Sequence, residues 1–245
     1  MTDLTEVFWR AHDGLPREAP GSPETTRLLL RLARPLPATP TVLDIGSGTG
    51  PATVVLAQET GGRVIAVDLH EPFLAEVARR AEAAGVGERV ETLVASMDAL
   101  PVPPGSVDLV WAEGSAYVMG FDAALAAWRP LLSPGGVVVL TEAEWTTPDP
   151  APGARAFWDA GYPAMRTTAG NVAAAQNAGW VVLATYLLPD SDWAHYYDPL
   201  GRRLEELRAQ GVADEALAQG GAEIGVRAAH GGDYGYTGYV LRPRR

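Results

Sequence analysis

The chain has 245 residues, of which 47% are hydrophobic and 20% charged, proportions typical of a globular protein with a sizeable core. The net charge of −11 disfavours a nucleic-acid partner, because such binding depends on a basic surface that displaces counterions from phosphates. The lack of cysteine excludes disulfides and thiolate chemistry, and the lack of lysine excludes Schiff-base chemistry and a P-loop phosphate lysine.

The first half of the chain begins with an irregular segment, residues 1–38, that contains one predicted helix over residues 24–32. Ser22 is placed to cap this helix, and Pro23 suits its first turn. From residue 39 onward short apolar runs alternate with amphipathic ones, which predicts strands and helices in turn. The predicted elements are a strand that runs into Gly46, a helix from Pro51, a strand over 63–67, a helix over 71–84, strands over 90–95 and 107–111, a helix over 122–131 and a strand over 136–141.

Beyond residue 145 the pattern is looser. The predicted elements there are helices near 153–160 and 169–178, a strand over 180–187, a polar and aromatic loop, helices near 199–210 and 213–229, and a final strand over 234–241. Alternation of strands and helices implies a parallel sheet covered on both faces, whose ligands bind at the carboxyl ends of the strands. We therefore predict a doubly wound, seven-stranded, mostly parallel α/β sheet with helical cover from both ends of the chain.

The most informative segment is VLDIGSGTG, residues 42–50, which ends an apolar strand in a glycine-rich turn. Glycines at alternate positions let the backbone approach a ligand and adopt positive φ (Gly46, Gly48 and Gly50). This spacing differs from the G-x-G-x-x-G of dinucleotide sites, and Asp44 would repel a pyrophosphate but attract an ammonium or a sulfonium. Asp68 ends the next strand, where a ribose-binding carboxylate belongs, about 20 positions on. The turn therefore favours S-adenosylmethionine over NAD.

Taken together, these residues resemble the class I S-adenosylmethionine-dependent methyltransferases, of the small-molecule type (methyltransferase type 11) found in ubiquinone and menaquinone biosynthesis. The resemblance covers about residues 41–145 and rests on VLDIGSGTG, VIAVDLH, SMDALPVPPGSVDLVWAEG and LLSPGGVVVLTEAEW. Other segments look like a bacterial subgroup with no assigned acceptor, namely 20–24, 112–121, 188–200 and 233–241. The resemblance implies a Rossmann-like fold, S-adenosylmethionine as cofactor and methyl transfer to a small molecule.

The resemblance also implies roles for individual residues around the cofactor. The methionine portion would contact Asp44, Gly46, Ser47, Gly48 and Gly50, and the ribose hydroxyls would bind Asp68. The adenine would lie beside Leu69, Ser96, Met97 and Asp98. Glu113, at the end of the fourth predicted strand, would stand nearest the sulfonium and the methyl acceptor.

A catalytic base is needed only if the acceptor loses a proton. The candidates are Glu113, Glu142, Glu144 and His195. We favour His195, because an imidazole accepts protons near neutral pH and this one lies in an aromatic run; the alternative is a surface histidine. An apolar acceptor pocket is expected over Glu113, closed by an N-terminal segment that contains Phe8, Trp9 and His12. Its predicted walls are Tyr117 and four aromatic residues that are expected on loops, Trp145, Tyr162, Trp193 and Tyr197.

We expect a single domain over residues 1–245, with a lid segment at 1–38, a cofactor-binding core at 39–145 and a substrate-covering part at 146–245. No apolar run approaches the roughly 18 residues of a membrane span and no charged-then-apolar leader is visible, so a cytoplasmic protein without a membrane partner is expected. The four histidines lack the spacing of a helical zinc site, so no metal is predicted. The expected assembly is a monomer or homodimer.

Two alternatives for the function stay open: a non-catalytic protein that binds S-adenosylmethionine or S-adenosylhomocysteine, and a nicotinamide oxidoreductase with atypical glycine spacing.

Overall fold

The computed structural model describes residues 4–244, and within them the strands form one seven-stranded sheet. The strands are β1 (Thr41–Ile45), β2 (Arg63–Asp68), β3 (Val90–Val94), β4 (Val107–Glu113), β5 (Leu132–Trp145), β6 (Trp180–Leu187) and β7 (Tyr234–Pro243). Their order across the sheet is β3-β2-β1-β4-β5-β7-β6. Strands β1 to β5 pair in parallel, and β7 runs antiparallel to both β5 and β6. The predicted doubly wound, mostly parallel sheet is confirmed.

Helices cover both faces of this sheet. They are α1 (Leu4–His12), α2 (Pro23–Ala33), α3 (Pro51–Thr60), α4 (Glu71–Ala83), α5 (Phe121–Trp128), α6 (Pro152–Gly161), α7 (Thr168–Asn177), α8 (Asp190–Ala209) and α9 (Asp214–His230). One face buries apolar side chains of α2 and α3 against the sheet, and the other buries those of α5 and α7. Because both faces are covered, the central strands are continuously apolar rather than alternating, as in β1. No helix of the described part of the chain is both long and apolar enough to cross a bilayer.

The strand order reverses at β1, which has β2 on one side and β4 on the other. In sheets of this kind a crevice opens at the carboxyl ends of the strands where the order reverses. The glycine-rich turn follows β1, and β4 ends at Glu113. The topology therefore brings the two segments together at one edge of the sheet.

Two sequence predictions about helices were wrong. The N-terminal segment contains α1, whose Val7 and Ala11 are buried in the cluster that also holds residues of α8. The polar and aromatic loop predicted after residue 187 is part of α8, which continues through Pro199. An internal proline costs a helix about 3 kcal/mol, but the buried side chains at helical spacing on α8 offset that cost. They are Trp193, Tyr196, Tyr197, Leu200, Leu204 and Leu207.

Two element boundaries also differ from prediction. Strand β5 continues to Trp145 instead of ending at residue 141, because Val138–Trp145 pair residue by residue with β7. The helix predicted over 122–131 ends at Trp128, and a short 3-10 turn, Arg129–Leu131, follows it at Pro130. The predicted cap of α2 is confirmed, since the Thr25 backbone N–H donates to Ser22 Oγ at 3.1 Å.

Candidate functional site

The glycine turn after β1 has a compact backbone that few side chains would allow. Gly46, Gly48 and Gly50 have φ values of 68°, 53° and 83°, in the left-handed region that favours glycine. The backbone N–H groups of Gly46 and Ser47 both donate to the Val67 carbonyl oxygen, at 2.8 and 2.9 Å, which ties the turn to β2. A Cβ atom on Gly46 would lie 2.5 Å from that of Ser115. Gly50 then precedes the first residue of α3.

A cavity of about 560 Å³ opens above this turn and above the end of β4. Its floor contains Asp44, Gly46, Ser47, Gly48, Asp68, Met97, Glu113 and Ser115, and its cover comes from α1, α8 and α9. Ser47 is 8% exposed, and its Oγ has no hydrogen-bond partner among the described residues. An orphaned buried hydroxyl in a cavity of ligand size indicates a site shaped for a polar ligand.

Asp44 is the most strongly perturbed group of the floor. The residue is 1% exposed and accepts a hydrogen bond from Thr53 Oγ1 at 2.5 Å. Burial raises the pKa of Asp44 to about 7; the Thr53 hydrogen bond opposes the rise, and the charges of Glu113 and Asp68 add to it. A ligand cation beside Asp44 would favour its ionised form.

Glu113 is held by a buried ion pair with Arg17, which is 6% exposed. The other carboxylate oxygen, Oε1, accepts from Thr26 Oγ1 at 2.6 Å and from Trp111 Nε1 at 3.1 Å. Both Arg17 and Glu113 line the cavity, and both charges act on the pKa of Asp44. Sequence reasoning missed Arg17, because it lies in a segment without regular structure and meets Glu113 only in the folded chain.

The other predicted cofactor residues divide into two groups. Asp68 lines the cavity and accepts the backbone N–H groups of Gly48 and His70, both at 2.9 Å; Met97 lines the cavity as well. Leu69 is 67% exposed, and neither it nor Ser96 nor Asp98 is part of the cavity lining. The adenine-side roles of these three residues stay predictions.

Of the five predicted wall residues, Tyr117 lines the cavity. Trp145, Tyr162, Trp193 and Tyr197 are instead packed in the buried cluster between β5, β7, α6 and α8. Their placement on loops was wrong for Trp145, Trp193 and Tyr197, which lie on β5 and α8. Aromatic side chains that do line the cavity are Phe8, Trp9, Phe73, Tyr117, Tyr196 and Tyr236, together with His12.

Three of the four candidate bases lie outside the cavity lining. Glu144 is buried and accepts hydrogen bonds from Thr168, Asn171 and Tyr239, so its carboxylate is fully engaged. Burial raises the pKa of Glu142 to about 8. His195 is exposed on α8, with Nδ1 3.3 Å from the Gly21 carbonyl oxygen, as in the surface alternative. Glu113 does line the cavity, but it is committed to Arg17.

Three further acidic groups of the cavity were not predicted, namely Glu18, Glu215 and Glu223. Glu18 pairs with His12 at 2.6 Å, and Glu223 of α9 accepts a hydrogen bond from the Tyr197 hydroxyl at 2.9 Å. No local sequence pattern distinguishes Glu18 or Glu223 from other surface carboxylates. Only the packing of α1 against α8 and α9 brings them to the cavity.

Known proteins share both the sequence of the core and the fold. A family model described as a methyltransferase domain matches residues 42–136. Release factor glutamine methyltransferase of Cereibacter sphaeroides is 34% identical over 198 residues, which cover 76% of this chain and 68% of that protein. Dimethylglycine N-methyltransferase of Parasynechococcus marenigrum is 34% identical over 125 residues, 51% of this chain, and the chain spans only 45% of that relative's length.

A solved structure has the same architecture over its whole length. The S-adenosylmethionine-dependent methyltransferase from Geobacter sulfurreducens, crystallised with S-adenosyl-L-homocysteine, has a TM-score of 0.86 at 23% identity, with 100% of both chains covered. These matches favour the sulfonium cofactor over the nicotinamide alternative. The glycine turn with its buried Asp44, the strand order and the relatives lead to one assignment: the chain belongs to the class I S-adenosylmethionine-dependent methyltransferases.

Proposed function

We propose that the protein transfers a methyl group from S-adenosylmethionine to a small-molecule acceptor. The observation that carries this proposal is Asp44, a carboxylate almost completely buried under a glycine turn, with its pKa raised to about 7. Such a group is poorly stabilised when charged and gains most from a ligand that brings a positive charge. The amino group and sulfonium of S-adenosylmethionine meet this requirement, whereas a pyrophosphate does not.

The residues of the floor fit the cofactor part by part. Asp44 would hold the amino group, and the unpartnered Ser47 hydroxyl with the backbone of the glycine turn would contact the methionine portion. Arg17 would meet the cofactor carboxylate, since a guanidinium binds carboxylates through two donors. Asp68 would accept the ribose hydroxyls in addition to its two backbone N–H groups, and Met97 would pack near the base. When bound, the cofactor supplies a methyl group already activated by the sulfonium.

The chain's own contribution is alignment and exclusion of water. Helix α1 lies over the cavity, and the Trp9 ring stacks on the His70 imidazole with ring centroids 3.7 Å apart. We propose that residues 1–38 act as a lid that must move for ligands to enter. Trypsin cleavage after Arg10 tests this idea: S-adenosylhomocysteine should slow it, and an unchanged rate would contradict a lid.

A small acceptor is favoured by the size and the charge of the site. A cavity of about 560 Å³ lies within the range of small-molecule sites, roughly 300–1,000 Å³, and must hold the acceptor together with the cofactor. The acidic surface disfavours a nucleic-acid acceptor. We accordingly expect a cytoplasmic enzyme, monomeric or homodimeric, that acts on a small metabolite.

Calorimetry with S-adenosylhomocysteine and with NADH tests the cofactor, and release of labelled methyl over a panel of acceptors tests the reaction. We expect S-adenosylhomocysteine to bind and NADH not to bind. Saturable NADH binding without binding of the nucleoside would refute the proposal. Tight nucleoside binding without turnover on any acceptor would instead favour the non-catalytic alternative.

A further inference from the structure

Part of the cavity wall is built from aromatic side chains of separate elements. Tyr196 of α8 and Tyr236 of β7 line it and are 5% and 6% exposed, and Tyr117 lines it from the segment after β4. Buried rings that carry hydroxyl groups suit a ligand with both apolar and polar parts.

A carboxylate lies among these rings. Glu223 of α9 lines the cavity and accepts a hydrogen bond from the Tyr197 hydroxyl at 2.9 Å. Burial raises the pKa of Tyr196 and of Tyr236 far above the usual value, and the charge of Glu223 raises each further. Burial also raises the pKa of Glu223 itself, and the Tyr197 hydrogen bond and the charge of His12 oppose this rise without cancelling it.

Acidic side chains outnumber basic ones in the lining of the cavity. Glu18, Glu215 and Glu223 line the cavity, whereas the basic side chains that line it are His12 and Arg17. His12 pairs with Glu18, and Arg17 pairs with Glu113 on the cofactor side. An anionic acceptor would be repelled by these carboxylates, and a neutral acceptor would bring no charge to offset the burial of Glu223. A cation would be attracted both by the carboxylate and by the aromatic ring faces.

We infer that the acceptor half of the cavity binds a cationic amine, held between the rings of Tyr117, Tyr196 and Tyr236 and the carboxylate of Glu223. This inference rests on the proposed methyl transfer and names its substrate class. A protonated amine has no free lone pair, so its N–H bond must break before the nitrogen can be methylated. Glu223 is placed to take that proton, forming an O–H bond as the nitrogen regains its electron pair.

Three probes of nearly one shape but different charge test the inference. They are choline, its uncharged carbon isostere 3,3-dimethylbutan-1-ol, and the anion 3,3-dimethylbutanoate, each titrated calorimetrically into protein saturated with S-adenosylhomocysteine. We expect choline to bind at least about tenfold more tightly than the alcohol, the preference that a desolvated cation–π and carboxylate site gives, and the anion not to bind. Equal affinities for choline and the alcohol, preference for the anion, or no choline binding at millimolar concentration would each overturn the inference.

A pair of variants assigns the effect to the carboxylate. Glu223→Gln should lower choline affinity about tenfold and leave the affinity for the alcohol within about twofold. Glu205→Gln, on the exposed side of α8, is the matched control and should change neither. An unchanged choline preference in Glu223→Gln would contradict the role of Glu223. Failure of S-adenosylhomocysteine to bind would contradict the proposed function instead, so the two failures are distinguishable.

Discussion

The ionisation of Asp44 makes cofactor affinity dependent on pH in a way that can be calculated. If only the ionised carboxylate holds the cationic amino group, affinity for S-adenosylhomocysteine follows the ionised fraction. With a pKa of about 7, that fraction falls from about 0.9 at pH 8 to about 0.1 at pH 6, so the dissociation constant should rise about tenfold between those values. Titration calorimetry at pH 6, 7 and 8, in two buffers of different ionisation enthalpy, measures both the affinity and the proton released on binding.

Other groups around Asp44 set the controls. The variant Asp44→Asn should bind S-adenosylhomocysteine weakly, with no dependence on pH between 6 and 8. It leaves in place the groups that act on the pKa of Asp44, namely Thr53, Glu113, Asp68 and Arg17. Glu142→Gln removes a carboxylate whose pKa is raised to about 8 but which does not line the cavity, and it should keep the full dependence. A wild-type affinity that is constant from pH 6 to 8, or an Asp44→Asn variant with the wild-type slope, would refute the reasoning.

The same raised pKa affects the stability of the ligand-free protein. Because the folded-state pKa of Asp44 lies above the unfolded value of 3.8, its contribution to stability is fully present below about pH 4 and is lost as the pH rises through about 7. Asp44→Asn should therefore raise the melting temperature relative to the wild type at pH 8 and give no such gain at pH 4. A gain of the same size at both pH values would show that relief of a buried charge is not its cause.

Three further substitutions test the site. Arg17→Met leaves Glu113 buried and unpaired and should lower the free energy of unfolding in urea by about 3–5 kcal/mol. The double variant Arg17→Met/Glu113→Gln should lose less than the sum of the two single losses, and simple additivity would contradict the coupling. Gly46→Ala should cost more stability and cofactor affinity than the control Gly85→Ala. The two glycines have similar φ values, 68° and 70°, but of the two only Gly46 would bring its new Cβ against Ser115. Equal losses would argue against a close-packed turn. His195→Ala should change stability by no more than about 0.5 kcal/mol and leave turnover unchanged, since the side chain is exposed, and a large loss of turnover would restore it as a base.

The sequence predicts the cofactor floor better than the acceptor wall, for a physical reason. Residues 42–50 and Asp68 combine a strand, a turn and a carboxylate within one continuous βαβ unit, so their spacing is fixed by local geometry. The acceptor wall is assembled from α1, α8, α9 and β7, which meet only through tertiary packing. Local patterns therefore cannot indicate that Arg17 meets Glu113 or that Glu223 lines the same cavity as Tyr196 and Tyr236.

The errors at α8 have the same origin. Pro199 and the polar, aromatic run before it are locally unfavourable for a helix, and local reasoning placed a loop there. The buried face of α8, from Trp193 to Leu207, gains enough from its contact with the cover cluster to extend the helix through the proline. This extension turned Trp193 and Tyr197 into core residues and brought Tyr196 to the cavity.

The position of β7 between β5 and β6 has a consequence for biosynthesis. Strand β6 leaves the ribosome well before β7, although β7 is its sheet neighbour within the described residues. One edge of β5 also stays open until β7 has been synthesised. At usual elongation speeds the interval from residue 187 to residue 234 lasts roughly 2–10 s. During that interval β5 and β6 both lack the neighbour that β7 later supplies, and unpaired strand edges favour aggregation.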